Sequence, residues 1–212
     1  MNSLLDLHYL PCIEYFSLIF KSDTITIEKN EYYEKQTYRN RCHINTAQGI
    51  GKLIVPLTSK HGNVPITEVR IDHSQKWLNN HWRAIESAYR NAPFFEHYAE
   101  ELHQSLFRRN DFLYDMNFEL LTMCLKWLAC KIPIHESVAY EKTPDSAVHD
   151  KRNHIRAKIS AEAKNNFTVI PYQQVFGKTF VNNLSIIDLV FCEGPNARNI
   201  VRASGTPEHF KV

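Results

Sequence analysis

Five groups of side chains in this sequence have types and spacings suited to moving protons or holding anions. The first is His8-Tyr9-Leu10-Pro11. Leu4–Leu7 reads as a short apolar strand and Pro11 suits the first turn of a helix. His8 and Tyr9 therefore fall at the carboxyl end of a strand, where open α/β sheets bind their ligands. A histidine there can act as a general base or hold an anionic group; the plainer reading is a partly buried ring bonded to backbone. The second group is Lys35 with Tyr38-Arg39-Asn40-Arg41 and His43. In an extended segment Arg39, Arg41 and His43 share one face, and two guanidinium groups on one face form a receptor for carboxylate or phosphate. The alternative is a solvated basic turn paired with Glu28, Glu31 or Glu34.

The third group, His81-Trp82-Arg83, sits on a helical pattern in which Leu78, Trp82, Ile85 and Tyr89 form the apolar stripe. Trp82 belongs to the core, and His81 lies at the stripe's edge as a second candidate base. The fourth is Asp150-Lys151-Arg152-Asn153 with Arg156 and Lys158, which is either a solvated charged face or a lid over an anionic substrate. The last is Asp188, beside Ser185 in a run of Ile, Leu and Val. An unpaired buried carboxylate is costly, so a basic partner from elsewhere is expected, structural as readily as catalytic.

The elements that must position these groups follow from periodicity. Leu4–Leu7, a helix over Cys12–Lys21 and the alternating Thr24–Glu28 make a βαβ start with a parallel pair. Cys42–Asn45 and Lys52–Pro56 read as a hairpin around Gly49 and Gly51, and Thr67–Ile71 as a further strand. Helices are expected after Ser74, after Pro93 and over Phe112–Lys131, and a last one within Leu184–Phe191, capped by Asn183 and stopped by Gly194. Residues 136–166 are polar and charged, and read as an insertion. The expected fold is α/β or α+β: a small mixed sheet from the N-terminal half, a βαβ start plus a hairpin, packed by a central bundle of helices in a single domain.

Composition limits the chemistry further. The chain has 212 residues with 25 Lys and Arg against 23 Asp and Glu, a net charge of +2, which argues against a polybasic surface for nucleic acid. It has only 6 glycines and neither GxxxxGK[ST] nor GxGxxG, so anion recognition should fall to side chains rather than to a phosphate loop. No HExxH, CxxC pair or GxSxG occurs, so no built-in metal, dinucleotide or hydrolase-elbow motif is present and the cofactor stays open. The 5 cysteines are odd in number and scattered, which fits reduced thiols. No apolar run is long enough for a membrane span and no signal peptide is evident, so a cytoplasmic location is expected.

Several stretches together resemble the WbqC-like family of bacterial proteins: His8-Tyr9-Leu10-Pro11 with Tyr15-Phe16, Tyr38-Arg39-Asn40-Arg41 with Ile44 and Pro56, and Asn183–Leu189 with Glu193-Gly194-Pro195. Trp77, His81-Trp82 and Tyr89 with Pro93-Phe94-Phe95 fit the middle of that pattern, and Arg152-Asn153, Lys158 and Pro171-Tyr172 with Gln174-Val175-Phe176 fit its later part. One departure is that many members carry a longer His-Gln-Pro turn before Tyr-Leu-Pro, whereas here His8 directly precedes Tyr9. The resemblance implies an acyl or aminoacyl (glycyl) transferase acting on an amino sugar in bacterial surface-polysaccharide (O-antigen) biosynthesis. On that expectation His8 or His81 is the base. Tyr9, Lys35, Arg39, Asn40, Arg41, Arg152, Lys158 and Asp188 then form the site for an anionic or nucleotide-linked small molecule. The competing expectation is a non-catalytic binding module for a nucleotide or other anionic metabolite, which needs the arginines but no base.

Overall fold

The computed structural model describes residues 2–58, 63–157 and 167–205. Strand β1 (Asn2–Leu5) buries Ser3, Leu4 and Leu5 in succession, the pattern of a central strand covered on both faces. The chain leaves it through Asp6–Pro11, where Leu10 adopts a left-handed φ of 41° before helix α1 (Ile13–Phe20). A bulky residue in that region is strained. Here the turn is clamped from the far end of the chain: Ser185 Oγ donates to the Leu10 carbonyl at 2.8 Å and the Ile186 amide donates to that of Pro11. Strand β2 (Thr24–Ile27) follows and pairs parallel with β1, Leu5 opposite Ile27, so the βαβ start is present.

Hairpin strands β3 (Arg41–Thr46) and β4 (Gly49–Ile54) form a separate antiparallel pair, turned at Gly49 with a φ of 102°. Two strands join the first sheet from much later in the chain. β5 (Ile134–Glu136) pairs with β2 and β6 (Val148–Asp150) pairs with β1, giving an all-parallel order β5-β2-β1-β6. The molecule is thus a mixed α/β fold in which the polar 136–166 stretch supplies an edge strand.

Thr67–Ile71 is not a strand. It begins as a 3-10 turn over Ile66–Glu68 and makes only single bridges at Arg70 and Ile71. The turn lets Ile66 and Val69, three residues apart, both reach the core, where a strand would put them on opposite faces.

The helices α2 (Trp77–Tyr89), α3 (Phe95–Phe107) and α4 (Leu113–Trp127) pack in succession, and α6 (Ala197–Ala203) lies on α1. Helix α5 (Ile186–Glu193) is buried on every side from Ile186 to Cys192. The residue flanking its start is Ser185, not Asn183. Asn183 instead serves α1: its Oδ1 accepts the Glu14 amide at 2.9 Å and its Nδ2 donates to the Glu14 carboxylate at 2.8 Å, which satisfies a first-turn N–H with no helical partner. Gly194 ends α5 as expected, with a φ of 53° and the Phe94 ring 2.5 Å from where a Cβ would sit. Among the described residues no helix is long and apolar enough to cross a membrane.

Candidate functional site

Because the sheet is parallel, all four strands release their chains at one edge, and charged residues gather there. β1 runs into Asp6 and His8, β2 into Glu28, β5 into Ser137, and β6 ends at Asp150, followed by Arg152 and Asn153. His8 is 1% exposed, and its Nε2–H donates to Asp6 Oδ2 at 3.0 Å. Among the described residues its Nδ1 has no hydrogen-bond partner, and the ring lies between Tyr15 and Tyr38, with centroids 4.8 Å and 5.5 Å away. Asp6 fixes the tautomer, so a neutral His8 ring presents its lone pair at Nδ1.

Arg39, fully buried, ties this pair to a second carboxylate. Its guanidinium forks onto Glu31, with Nε to Oε1 at 2.7 Å and an Nη to Oε2 at 2.6 Å, while the other Nη lies 3.2 Å from Asp6. One guanidinium thus serves two buried acids, and they divide it unequally. Burial raises the Asp6 carboxyl, but His8, Arg39 and the Asn153 amide outweigh it and hold Asp6 well below the usual carboxylate range. For Glu31 burial wins over Arg39, and its carboxyl is pushed up to about 7. Arg39 in turn is held more firmly protonated than usual: burial opposes its charge, but the bond to Glu31 and the field of Asp6 prevail.

Arg152 closes the cluster from β6. It forks onto Asp150, donates to Glu28 Oε2 at 2.9 Å and to the Glu141 carbonyl at 2.8 Å, and stacks on Tyr140. Ser137 donates to the other Glu28 oxygen, and the Asn153 amide donates to Asp6 at 3.1 Å.

The 3-10 turn Tyr38–Asn40 divides the expected arginine pair. Arg39 lies in the turn and faces inward, whereas Arg41 begins β3 and faces outward, half-exposed on the same side as His43. The expectation of Arg39 and Arg41 on one face does not hold, because the alternation of an extended strand starts only at residue 41. Arg39 does pair with Glu31, one of the acids considered for it, but inside the protein rather than in solvent. Arg41 instead shares a cavity of about 660 Å³ with Tyr33, Lys35, Asn40, Val55 and Pro56. Asn40 braces its wall, donating to the Val55 carbonyl at 2.9 Å and accepting from the Arg41 guanidinium at 3.4 Å. Lys35, Asn40 and Arg41 are therefore together at the cavity, while His8, Arg39 and Arg152 are together in the buried cluster behind the turn.

The remaining candidates lie elsewhere. Tyr9 and His81 form a pair: the Tyr9 hydroxyl lies 3.0 Å from His81 Nδ1, and His81 Nε2 lies 3.2 Å from the Ile54 carbonyl. Both ring nitrogens are engaged, and burial pushes His81 down to about 4 against the pull of the Ile54 carbonyl. Among the described residues Asp188 has no basic partner. It accepts hydrogen bonds from the Tyr89 hydroxyl at 2.9 Å, from Gln174 Nε2 at 3.2 Å and from the Tyr172 hydroxyl. Three neutral donors replace the expected cation, and burial still raises the carboxyl above its ordinary range. Lys158 lies outside the described residues. Among the described residues no group of three or more His, Cys, Asp or Glu side chains is placed to hold a metal ion.

Sequence reasoning left out Asp6, Ser137 and the inward role of Glu28. A signal for Asp6 was present: an acid two residues before His8 at the end of a strand lies on the same side of an extended chain. Glu28 and Ser137 become neighbours only through the pairing of β2 with β5, which no local pattern reveals.

Fold and site together define a class: an α/β protein whose parallel sheet carries a buried acid–histidine–arginine cluster at its carboxyl edge, beside a cation-lined cavity. The chain belongs to the WbqC-like protein family, whose model matches residues 7–163 and 146–200. It is also 36% identical over 96 residues to the uncharacterised protein Rv1507c of Mycobacterium tuberculosis, a stretch covering 45% of this chain and 41% of that protein. The match therefore spans less than half the length of that relative. No solved structure matches the chain.

Proposed function

We propose that this protein is an acyl or aminoacyl transferase acting on a nucleotide-linked amino sugar in bacterial surface-polysaccharide biosynthesis. The observation that carries the reading is the Asp6–His8 pair, which leaves Nδ1 unpartnered at the carboxyl edge of a parallel sheet. An imidazole oriented by a carboxylate through one nitrogen is arranged to take a proton at the other. The amine of the sugar attacks the acyl carbon, His8 Nδ1 accepts the amine proton, and the bond to the leaving group breaks as that proton is passed on to it. Lys35 and Arg41 hold the phosphates in the cavity, and Asn40 keeps Arg41 in place.

A second reading, a binding module for an anionic metabolite, is favoured by one observation: His8 is 1% exposed. Turnover assays across activated acyl donors and nucleotide-linked amino sugars, run beside binding measurements, separate the two. The transferase reading expects His8→Ala to lower kcat by about 100-fold or more with nucleotide-sugar affinity unchanged. Full activity in that variant rejects the base, and binding without turnover in every combination leaves the module.

A further inference from the structure

The opposite edge of the parallel sheet carries a second cavity, of about 390 Å³. β2 and β5 begin beside it, and its wall includes Phe20 from the end of α1, Asp23, Cys130, Lys131, and Arg198 and Arg202 of α6. Among the described residues three cations and one carboxylate line this space. Among the described residues Lys131, Arg198 and Arg202 make no ion pair with a carboxylate. Arg202 lies over the Phe20 ring at 5.6 Å, and Arg198 Nε is buried without a hydrogen-bond acceptor. An oxyanion in the cavity accepts charge-assisted hydrogen bonds from these guanidinium and ammonium groups, which lack a carboxylate partner among the described residues.

We propose that this cavity is a second anion site, distinct from the cluster and cavity described above, that takes a phosphate-bearing small molecule. The phosphate is held by Arg198, Arg202 and Lys131. The oxygens of a phosphate match the forked donors of the arginines, and the volume leaves room for an ester group beyond the phosphate.

Cys130 gives the site an internal reporter. It lines the cavity and is half-buried, whereas Cys12, Cys42, Cys124 and Cys192 are buried. The test uses the full chain with glucose 6-phosphate, inorganic phosphate, and glucose as the uncharged control. Binding is measured by calorimetry, and iodoacetamide labelling of the Cys130 peptide by mass spectrometry. Both phosphates should bind and glucose should not. Arg198→Gln and Lys131→Gln should each weaken binding by about tenfold or more, the scale of one lost charge-assisted hydrogen bond. Lys131 is exposed, so its variant keeps the fold and the test stands even if Arg198→Gln unfolds. Arg41→Gln should leave this affinity unchanged, and bound glucose 6-phosphate should slow Cys130 labelling. The proposal is overturned if neither phosphate binds, if Arg41→Gln abolishes binding while Lys131→Gln leaves it intact, or if saturating ligand leaves Cys130 labelling unchanged.

Discussion

Replacing Arg39 with Met tests whether the buried cluster is held as an electrostatic unit. Arg39 is fully buried, forks onto Glu31 and lies 3.2 Å from Asp6, so its removal strands two carboxylates away from water. Breaking a buried ion pair from one side costs about 3–5 kcal/mol. At about 2 kcal/mol per molar urea, this lowers the unfolding midpoint by about 1.5–2.5 M. The loss must also depend on pH. In the intact protein burial already pushes Glu31 up to about 7 from an ordinary 4.5, against the pull of Arg39. A carboxyl whose folded value is raised contributes stability below its unfolded value and loses it as pH rises through the folded one. The step from 4.5 to about 7 corresponds to about 3 kcal/mol. Without Arg39 the folded value climbs further, so the decline extends past neutrality. Urea unfolding at pH 5 and pH 8.5 should therefore show a penalty at least twice as large at the higher pH. Adding Glu31→Gln to Arg39→Met should recover most of that difference. An equal penalty at both pH values, or no recovery, would refute the picture of one guanidinium shared between two buried acids.

Three further outcomes follow from the geometry. His81, pushed down to about 4 by burial, contributes stability above pH 6.5 that is lost as pH falls toward 4, so lowering the pH from 7 to 4.5 should cost about 2–3 kcal/mol more in the parent than in His81→Gln, as read by urea midpoints. Gly194→Ala should destabilise by about 2–4 kcal/mol in thermal unfolding, since it combines a left-handed φ with a Cβ against the Phe94 ring, and adding Phe94→Leu should return part of the loss. Arg41→Gln should weaken the binding of a nucleotide-linked amino sugar by about tenfold in calorimetry while the unfolding midpoint stays put, because the side chain is half-exposed at the cavity.

The N-terminal architecture was legible because it is local. Thr24–Ile27 alternates, α1 carries its own apolar stripe, and a strand–helix–strand unit this short admits a parallel pair. Gly194 was legible for the same reason: a glycine just past an apolar helical run is a stop signal that tertiary context did not override. The candidate site was legible only in its members. His8, Arg39 and Arg152 could be singled out by type, but Arg152 reaches the cluster only because β6 lies against β1, a pairing across more than a hundred residues. The partner of Asp188 was misjudged because charge was assumed to need charge, whereas two tyrosine hydroxyls and an amide meet the same demand from residues 89, 172 and 174. The split between Arg39 and Arg41 turns on where β3 starts, and element boundaries are the weakest part of any reading from one sequence.

The pairing of β1 with β6 also orders events as the chain folds. The first strand, made from residues 2–5, has one neighbour within 25 residues and the other near residue 148. Contacts this distant in sequence are slow to form, since a long loop must close before they return any stability. Until they form, Glu28 lacks Arg152, Asp6 lacks the Asn153 amide, and the Leu10 turn lacks its clamp from Ser185. A nascent chain that ended before β6 would hold the histidine and its aspartate but leave one flank of the first strand open as an unpaired edge. The site is thus a late product of folding, completed only once residues as far along as Asn153 and Ser185 are in place.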